Sequence, residues 1–359
     1  MEKMVTKYNL SFWKNKRVFI TGHTGFKGAW LTKILIMAGA KVCGYSLSPN
    51  TKPNLFTHLE LEKEDNLISI IGDVKKKDYL NEAFFSFNPD IVFHLAAQPI
   101  VRESYISPVE TYETNILGTV YLCECVRKSK NVKSFLNITT DKVYDNNDVQ
   151  NHRFKEDEKL DGFDPYSNSK SCSELITHSY IKSFFKEMDI PVSTARAGNV
   201  IGGGDFSIDR IIPDCVRALM NKEELIIRNP SSTRPYQHVF DALGAYLLIA
   251  EKQYHSHQLA SSYNVGPDED DIITTEELVI KFNSFLSTKF RYKIKSDNGP
   301  HEATFLSLDN NLIKSSINWI PLIKLNDAIR LTSEWYKAFL NDESIKNISE
   351  KQIKQYFEI

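Results

Sequence analysis

Four side chains in this sequence have types and spacings suited to proton chemistry: Tyr166 and Lys170, four residues apart, and Asp141 and Lys142, side by side. On a helix, a phenol and an ammonium four apart share one face. A tyrosine with the ordinary pKa near 10 is a poor base at neutral pH, and lowering it by roughly three units takes about 4 kcal/mol of preferential anion stabilisation. A neighbouring ammonium supplies part of that, and a cationic ligand can supply more. Such pairs also arise on solvated helix faces, so the pair gains its meaning from what precedes it.

What precedes it is a phosphate-binding turn. Val18-Phe19-Ile20-Thr21 is a run of strand formers that enters Gly22-His23-Thr24-Gly25-Phe26-Lys27-Gly28, after which Ala29, Leu31, Ile34, Leu35 and Ala38 recur at helical spacing up to Gly39. A strand delivers the backbone to a tight turn, glycines let peptide N–H groups approach a pyrophosphate, and the next helix points its positive end at the anion. The spacing Gly22, Gly25, Gly28 differs from the common G-x-G-x-x-G, and three glycines alone also fit a plain strand-to-helix turn. With Tyr166 and Lys170 downstream, the turn predicts a bound dinucleotide whose nicotinamide is the cationic partner of Tyr166.

The elements that must position these groups alternate. Strands are expected at Lys41–Ser46, Leu67–Ile71, Ile91–Ala97, Ser134–Thr140 and Pro191–Arg196, with helices at Tyr79–Phe87, Val109–Lys130 and Pro165–Met188. Ile91 to Ala97 is almost wholly apolar, as a strand buried on both faces of a parallel sheet reads. Six strands alternating with helices predict an α/β fold, a doubly wound parallel Rossmann sheet over residues 1–197. Past residue 198 the rhythm breaks at Gly202-Gly203-Gly204 and scattered prolines, which predicts a smaller substrate-binding portion over 198–340, with 234–250 returning to the Rossmann domain. The charged stretch 341–359 reads as a peripheral helix or mobile tail.

Asp141 and Lys142 close the fifth strand. On a surface loop an acid beside an amine is an ordinary solvated turn. At the carboxyl end of a parallel strand, the pair instead lies over the ligand crevice, beside the nicotinamide.

The 359 residues carry 44 basic and 46 acidic side chains, a formal charge of −2, which gives no reason to expect a nucleic-acid partner. The five cysteines show no metal-like clustering and suit a reducing compartment, so no metal is expected. No run of about eighteen apolar residues occurs and no signal-peptide pattern opens the chain, so a cytoplasmic protein with no membrane partner is expected.

Together these segments resemble the extended short-chain dehydrogenase/reductase family, the NAD-dependent epimerases and dehydratases, from about Trp13 to about Phe339. TGHTGFKG at the first turn, GDV at Asp73, HLAAQ after the fourth strand, Asn115, the Tyr166/Lys170 pair and ARAGNV carry the likeness. TGHTGFKGAWL, HLAAQPIVRESY, TTDKVYDN, DPYSNSKSCSE, ARAGNVIGGGDF, IRNPSSTRPYQHV and HEATFLSLD look like segments of the CDP-glucose 4,6-dehydratase group.

The resemblance implies NAD as cofactor, held by Gly22, Thr24, Gly25, Phe26, Lys27, Gly28, Asp73, Val74, Leu95, Ala96 and Ala97 together with Tyr166 and Lys170. No acidic residue ends the second strand to hold the ribose, since Gly44-Tyr45-Ser46 stands there, so NAD rests on the resemblance. It implies a nucleotide-sugar substrate, a CDP-hexose, contacted by Gln98, Arg102, Asn199, Arg210, Arg234 and His301. The guanidinium forks of Arg210 and Arg234 suit its diphosphate. His23 and His94 read as structural.

It further implies a lyase. Tyr166 takes the carbon-4 hydroxyl proton while NAD takes the hydride, Lys142 removes the carbon-5 proton, Asp141 donates to the departing water, and the hydride returns to carbon 6; Thr140 joins this catalytic group. The same scaffold also serves dTDP-glucose and GDP-mannose dehydratases and 4-epimerases, or a dinucleotide sensor without catalysis. Helices 109–130 and 165–188 are expected to build a homodimer or higher homo-oligomer, as in relatives.

Overall fold

The computed structural model describes residues 7–149, 151–268, 271–295, 299 and 305–359. Seven strands form one parallel sheet: β1 (Arg17–Thr21), β2 (Lys41–Ser46), β3 (Leu67–Ile71), β4 (Ile91–His94), β5 (Ser134–Ile138), β6 (Val192–Ala197) and β7 (Ser262–Val265). Their spatial order is β3-β2-β1-β4-β5-β6-β7. The order reverses between β1 and β4, which pair in parallel as Val18 with Ile91 through Thr21 with His94. Ligands of such sheets bind at this switch point, outside the strand carboxyl ends.

Period-two alternation divides the strands between two apolar cores. Val18 and Ile20, Val42, Ile91 and Phe93, and Leu136 and Ile138 face the larger core, while Phe19, Cys43 and Tyr45, Val92 and Phe135 face the smaller one. Each fully buried Phe or Ile on these faces is worth about 1.5–3 kcal/mol relative to exposure. The polar residues buried within the strands, among them Thr21, His94, Ser134, Asn137, Thr194 and Arg196, are each hydrogen-bonded.

Helix α1 (Phe26–Met37) follows β1 directly and ends at Gly39, whose φ of +78° suits a left-handed stop. Helices α2 (Lys77–Phe87) and α3 (Gly118–Lys128) cover the smaller core. The single helix expected at 109–130 is a run from Pro108 to Lys128 interrupted by a π-turn at Glu113–Leu117. Helix α4 (Pro165–Tyr180) starts with Pro165 in its first turn and Asp164 capping the Ser167 N–H at 3.0 Å. This start fixes Tyr166 at the helix mouth.

Within segment 234–250, helix α5 (Val239–His255) lies against the large sheet. Ser134 Oγ donates to the Ala250 carbonyl at 2.9 Å and Gln253 Nε2 to the Phe135 carbonyl at 3.0 Å. The added strand is β7, pairing with β6, so the sheet has one strand more than the six expected. A smaller portion stands over the strand carboxyl ends. It holds a three-stranded sheet (Ile272–Thr274, Thr233–His238, Asn199–Ile201), a parallel pair (Leu225–Ile227, Tyr292–Ile294) and helix Ile211–Asn221.

Within 341–359 the chain forms a helix, and that helix is docked rather than free. Helix α6 (Ile345–Tyr356) packs Ile345, Ile353 and Tyr356 into the larger core, and Phe357–Glu358 pairs in parallel with Tyr8–Asn9. Apolar positions at three- and four-residue spacing lie within the charged composition and supply the stripe that docks. Among the described residues, no helix is long and apolar enough to cross a membrane.

Candidate active site

The glycine turn is built by close backbone approach. Gly22 has φ +81°, and a Cβ on it would lie 2.7 Å from the Ala96 nitrogen and 2.9 Å from the Leu95 carbonyl carbon; a Cβ on Gly28 would lie 2.0 Å from the Gly22 oxygen. The turn, the start of α1 and the Leu95-Ala96 segment are thus pressed together as only glycine permits.

Gly25 differs, since a Cβ there would meet nothing nearer than the Gly22 oxygen at 3.5 Å. It is the N-cap of α1, with no side-chain cap bond. Open space before uncapped N–H groups fits the pyrophosphate of a dinucleotide. Thr24 Oγ1 bonds Ser46 Oγ and the Leu47 carbonyl, both at 2.8 Å, and Asp73 Oδ1 accepts from the Lys75 N–H. Val74 is buried beneath this edge of the sheet.

A cavity of about 320 Å³ opens over the carboxyl ends of β5 and β6. Its wall includes Phe26, Lys27, Arg102, Thr140, Asp141, Lys142, Tyr166, Asn199, Arg210 and Arg234. Ten positions chosen from sequence therefore converge on one space.

At its floor, Thr140 caps a short turn, Asp141–Val143. Asp141 is 1% exposed; its Oδ1 accepts from Thr140 Oγ1 at 3.0 Å and from Lys142 Nζ at 3.2 Å. Its Oδ2 is buried and, among the described residues, has no hydrogen-bond partner. An acid and an amine held together beside a phenol are groups that can exchange protons with a bound ligand.

Burial pushes the Tyr166 phenol up to about 12; a hydrogen bond from Thr140 and the Arg210 charge pull the other way, while Asp141 and Asp164 add to the rise. Burial lowers the Lys170 ammonium to about 8. Lys170 Nζ donates to the Ile138 carbonyl at 2.8 Å and does not line the cavity. Burial also lowers Lys27 to about 7, helped by the positive charges of Arg210 and Lys170. With its phenol raised by burial, Tyr166 needs further positive charge to act as a base at neutral pH, and a nicotinamide cation bound beside it would supply that charge.

Gln98 does not line this cavity. Its side chain spans the Ile100 backbone and Thr111 Oγ1, so it shapes the loop that carries Arg102. Asn115, within the π-turn, ties that loop to α4 through the Gln98 carbonyl at 3.1 Å and Ser169 Oγ at 2.8 Å. Leu95, Ala96 and Ala97 follow β4 beside Gly22 rather than in the cavity. His301 lies outside the described residues.

His94 bonds Thr21 and Thr119 through its two ring nitrogens, and His23 bonds Ser69, so both are packed into the sheet. A Cβ on Gly44 would lie 2.2 Å from the His23 ring, which explains a glycine inside β2.

The cavity also holds residues that sequence reading missed. Asp205 bonds Arg210 Nη1 at 3.0 Å, and Asp209 lies 2.7 Å from Arg228 and 3.9 Å from Arg102. Arg228 falls inside the quoted IRNPSSTRPYQHV segment, so its two neighbouring motif residues were the available signal.

Residues 19–332 match the family model described as GDP-mannose 4,6 dehydratase. The chain is 41% identical over 352 residues to a CDP-glucose 4,6-dehydratase of Salmonella typhimurium, covering 96% of this chain and 97% of that one. A dTDP-D-glucose 4,6-dehydratase of Dictyostelium discoideum is 31% identical over 273 residues, 70% of this chain and 58% of the other. Among solved structures, dTDP-glucose 4,6-dehydratase of Bacillus anthracis in complex with NAD superposes with a TM-score of 0.76 at 21% identity, covering 92% and 99% of the two chains.

Proposed function

The chain belongs to the GDP-mannose 4,6 dehydratase family, and from that premise we propose that it dehydrates CDP-glucose to CDP-4-keto-6-deoxyglucose, an NAD-dependent hydro-lyase reaction of deoxysugar biosynthesis. The observation that carries this reading is the Asp141–Lys142 pair opening on the same cavity as Tyr166 in a chain 41% identical to a CDP-glucose 4,6-dehydratase.

NAD, when bound, supplies a hydride acceptor that later gives the hydride back, so the reaction has no net redox change. The turn at Gly22, Gly25 and Gly28 with the start of α1 would hold its pyrophosphate, Asp73 and Val74 its adenine end, and Tyr166 with Lys170 its nicotinamide end. Tyr166 takes the proton of the carbon-4 hydroxyl as that carbon is oxidised. The resulting ketone acidifies the proton on carbon 5, which Lys142 removes. Asp141 passes a proton to the departing carbon-6 hydroxyl, and water leaves.

Moving one proton from the Lys142 ammonium to the Asp141 carboxylate gives the amine and acid these steps need without changing the pair's net charge. Their separation of 3.2 Å is a hydrogen-bond distance. Arg210 and Arg234 suit the substrate diphosphate, with Arg102 and Asn199 on the same wall.

Exposed Val109, Leu117 and Leu175 on the helices flanking this site support a homodimer. Five free cysteines support a cytoplasmic location. The test is incubation with CDP-, dTDP-, UDP- and GDP-hexoses, followed by the alkaline absorbance of a 4-keto sugar. CDP-glucose is expected to give the signal, and 4-epimerised sugar without a keto product would overturn the reading.

A further inference from the structure

Two consecutive residues where β5 ends, Ile138 and Thr139, are each gripped by a residue of α4. The Ile138 carbonyl accepts from Lys170 Nζ at 2.8 Å, and Thr139 Oγ1 donates to Glu174 Oε1 at 2.5 Å. Tyr166, Lys170 and Glu174 stand four apart, so one helix face meets one stretch of strand. The residues gripped lead directly into Thr140, Asp141 and Lys142.

Glu174 is fully buried and makes no contact with the cavity. Its other oxygen accepts from Thr194 Oγ1 at 2.8 Å and from Arg196 Nη2 at 2.9 Å. Arg196, equally buried, donates onward to Tyr144 Oη and the Glu156 carbonyl. A carboxylate without solvent is held here by one guanidinium and two hydroxyls, with the His178 imidazole 3.5 Å away, and Thr139 is the hydroxyl that leads to the site. Burying such an ion pair is weak evidence for stability but constrains geometry wherever its partners are fixed on different elements.

We propose that Glu174, anchored by Arg196, is a positioning residue that acts through Thr139 to hold Asp141 and Lys142 in register with Tyr166, and that the elimination step depends on it more than the oxidation step. The inference rests on the dehydratase reading for its kinetic consequence, but not for the clasp itself. Tyr166 is set by its place at the capped start of α4, whereas Asp141 and Lys142 sit on a turn tied to α4 on both sides, by these contacts before it and by Ser171 Oγ donating to the Val143 carbonyl at 2.8 Å after it. Loosening the Thr139 contact releases the side of the turn that carries Asp141 and Lys142 while leaving the phenol in place.

Thr139→Val removes the hydroxyl at nearly constant shape, Thr139→Ser restores it, and Glu174→Gln removes the charge while keeping an acceptor for Thr139. In the full chain without substrate, amide hydrogen exchange over 138–143 is expected to speed up in Thr139→Val and return toward the original rate in Thr139→Ser. Unchanged exchange in Thr139→Val overturns the clasp.

In a single turnover of NAD-loaded protein with CDP-glucose, Thr139→Val is expected to form 4-keto-6-deoxy product about ten-fold more slowly or worse, while the near-ultraviolet absorbance of reduced nicotinamide accumulates. Equal slowing of both steps, or a melting point that falls with turnover per folded molecule unchanged, overturns the proposal. Glu174→Gln is expected to follow Thr139→Val, and an unaffected product rate in it would remove Glu174 from the role. If the original protein makes no 4-keto sugar from CDP-glucose, the dehydratase reading fails, and the exchange measurement still decides the clasp.

Discussion

A methyl group on Gly198 would stand 3.2 Å from Asp141 Oδ2, the oxygen left without a hydrogen-bond partner among the described residues. The other carboxylate oxygen is tied to Thr140 and Lys142, so the side chain can give way only by breaking those bonds. Gly198→Ala is expected to lower kcat about ten-fold or more, as small misplacements of reacting groups do, with KM for CDP-glucose little changed. Steady-state kinetics checks it, and an unchanged kcat would mean that the position of Asp141 does not matter.

Lys142→Met removes the amine and keeps most of the side-chain volume. Oxidation at carbon 4 relies on Tyr166 and is expected to continue, so reduced nicotinamide should build up while product formation falls by a factor of about 100 or more, the usual scale for losing a general base. Unimpaired formation of 4-keto-6-deoxy sugar would exclude Lys142 from the mechanism.

Tyr166→Phe removes the only phenol placed at the capped mouth of α4 among the described residues. With the first proton transfer lost, neither reduced nicotinamide nor keto product is expected, a pattern opposite to that of Lys142→Met. Rapid absorbance measurements on the two variants side by side separate the roles, and reduced cofactor appearing in Tyr166→Phe would contradict the assignment.

These groups could be read from sequence where the signal is local. The turn at Gly22, Gly25 and Gly28 joins a strand, a loop and a helix within one short stretch, and Pro165 with Asp164 marks the start of the helix that carries Tyr166. Contacts between distant segments were hidden. Glu174 reads as a solvated helix charge until its spacing from Lys170 and Tyr166 is followed inward to Arg196, 22 residues away. β7 is four residues long and follows no strand-helix rhythm, so nothing local announces a seventh strand. The docking stripe of α6 is diluted by the charges around it.

Stability is expected to fall on mild acidification. Burial lowers His23 from 6.5 to about 4, and His94 and His238 from 6.5 to about 3. A group whose folded pKa is depressed contributes stability that is full above its unfolded pKa and is lost as pH falls toward the folded one. At about pH 5.5 each histidine therefore costs about 1.4 kcal/mol, or about 4 for the three. Asp241 opposes this: burial raises it from 3.8 to about 6, so its contribution is present below 3.8 and lost as pH rises through 6. Acidifying to about pH 5.5 regains about 1 kcal/mol there, but Lys27, lowered by burial from 10.5 to about 7, loses about as much over the same range, for a net loss of about 4 kcal/mol. Urea unfolding at about pH 7.5 and 5.5 measures it, and a flat profile would mean that these histidines protonate in the folded state.

Gly25 and Gly28 belong to the same turn but are expected to fail differently. Alanine at Gly28 drives a methyl into the Gly22 carbonyl, 2.0 Å away, which can be relieved only by moving α1 off β1. Overpacking of this kind costs about 1–3 kcal/mol, so Gly28→Ala should lower the melting point and weaken NAD binding together. Alanine at Gly25 meets no atom closer than 3.5 Å and keeps an ordinary backbone angle, with φ −75°. Its cost to the fold is that of a poorer helix cap, about 1 kcal/mol or less, yet its methyl stands where a phosphate must come close to the first N–H groups of α1. Gly25→Ala is thus expected to hold its melting point within a few degrees while losing about ten-fold or more in NAD affinity, a change of about 1.4 kcal/mol. Calorimetric NAD titration beside thermal unfolding of both variants distinguishes a turn that only joins two elements from one that receives the dinucleotide: NAD affinity unaltered in Gly25→Ala would leave Gly25 with no part in holding the cofactor.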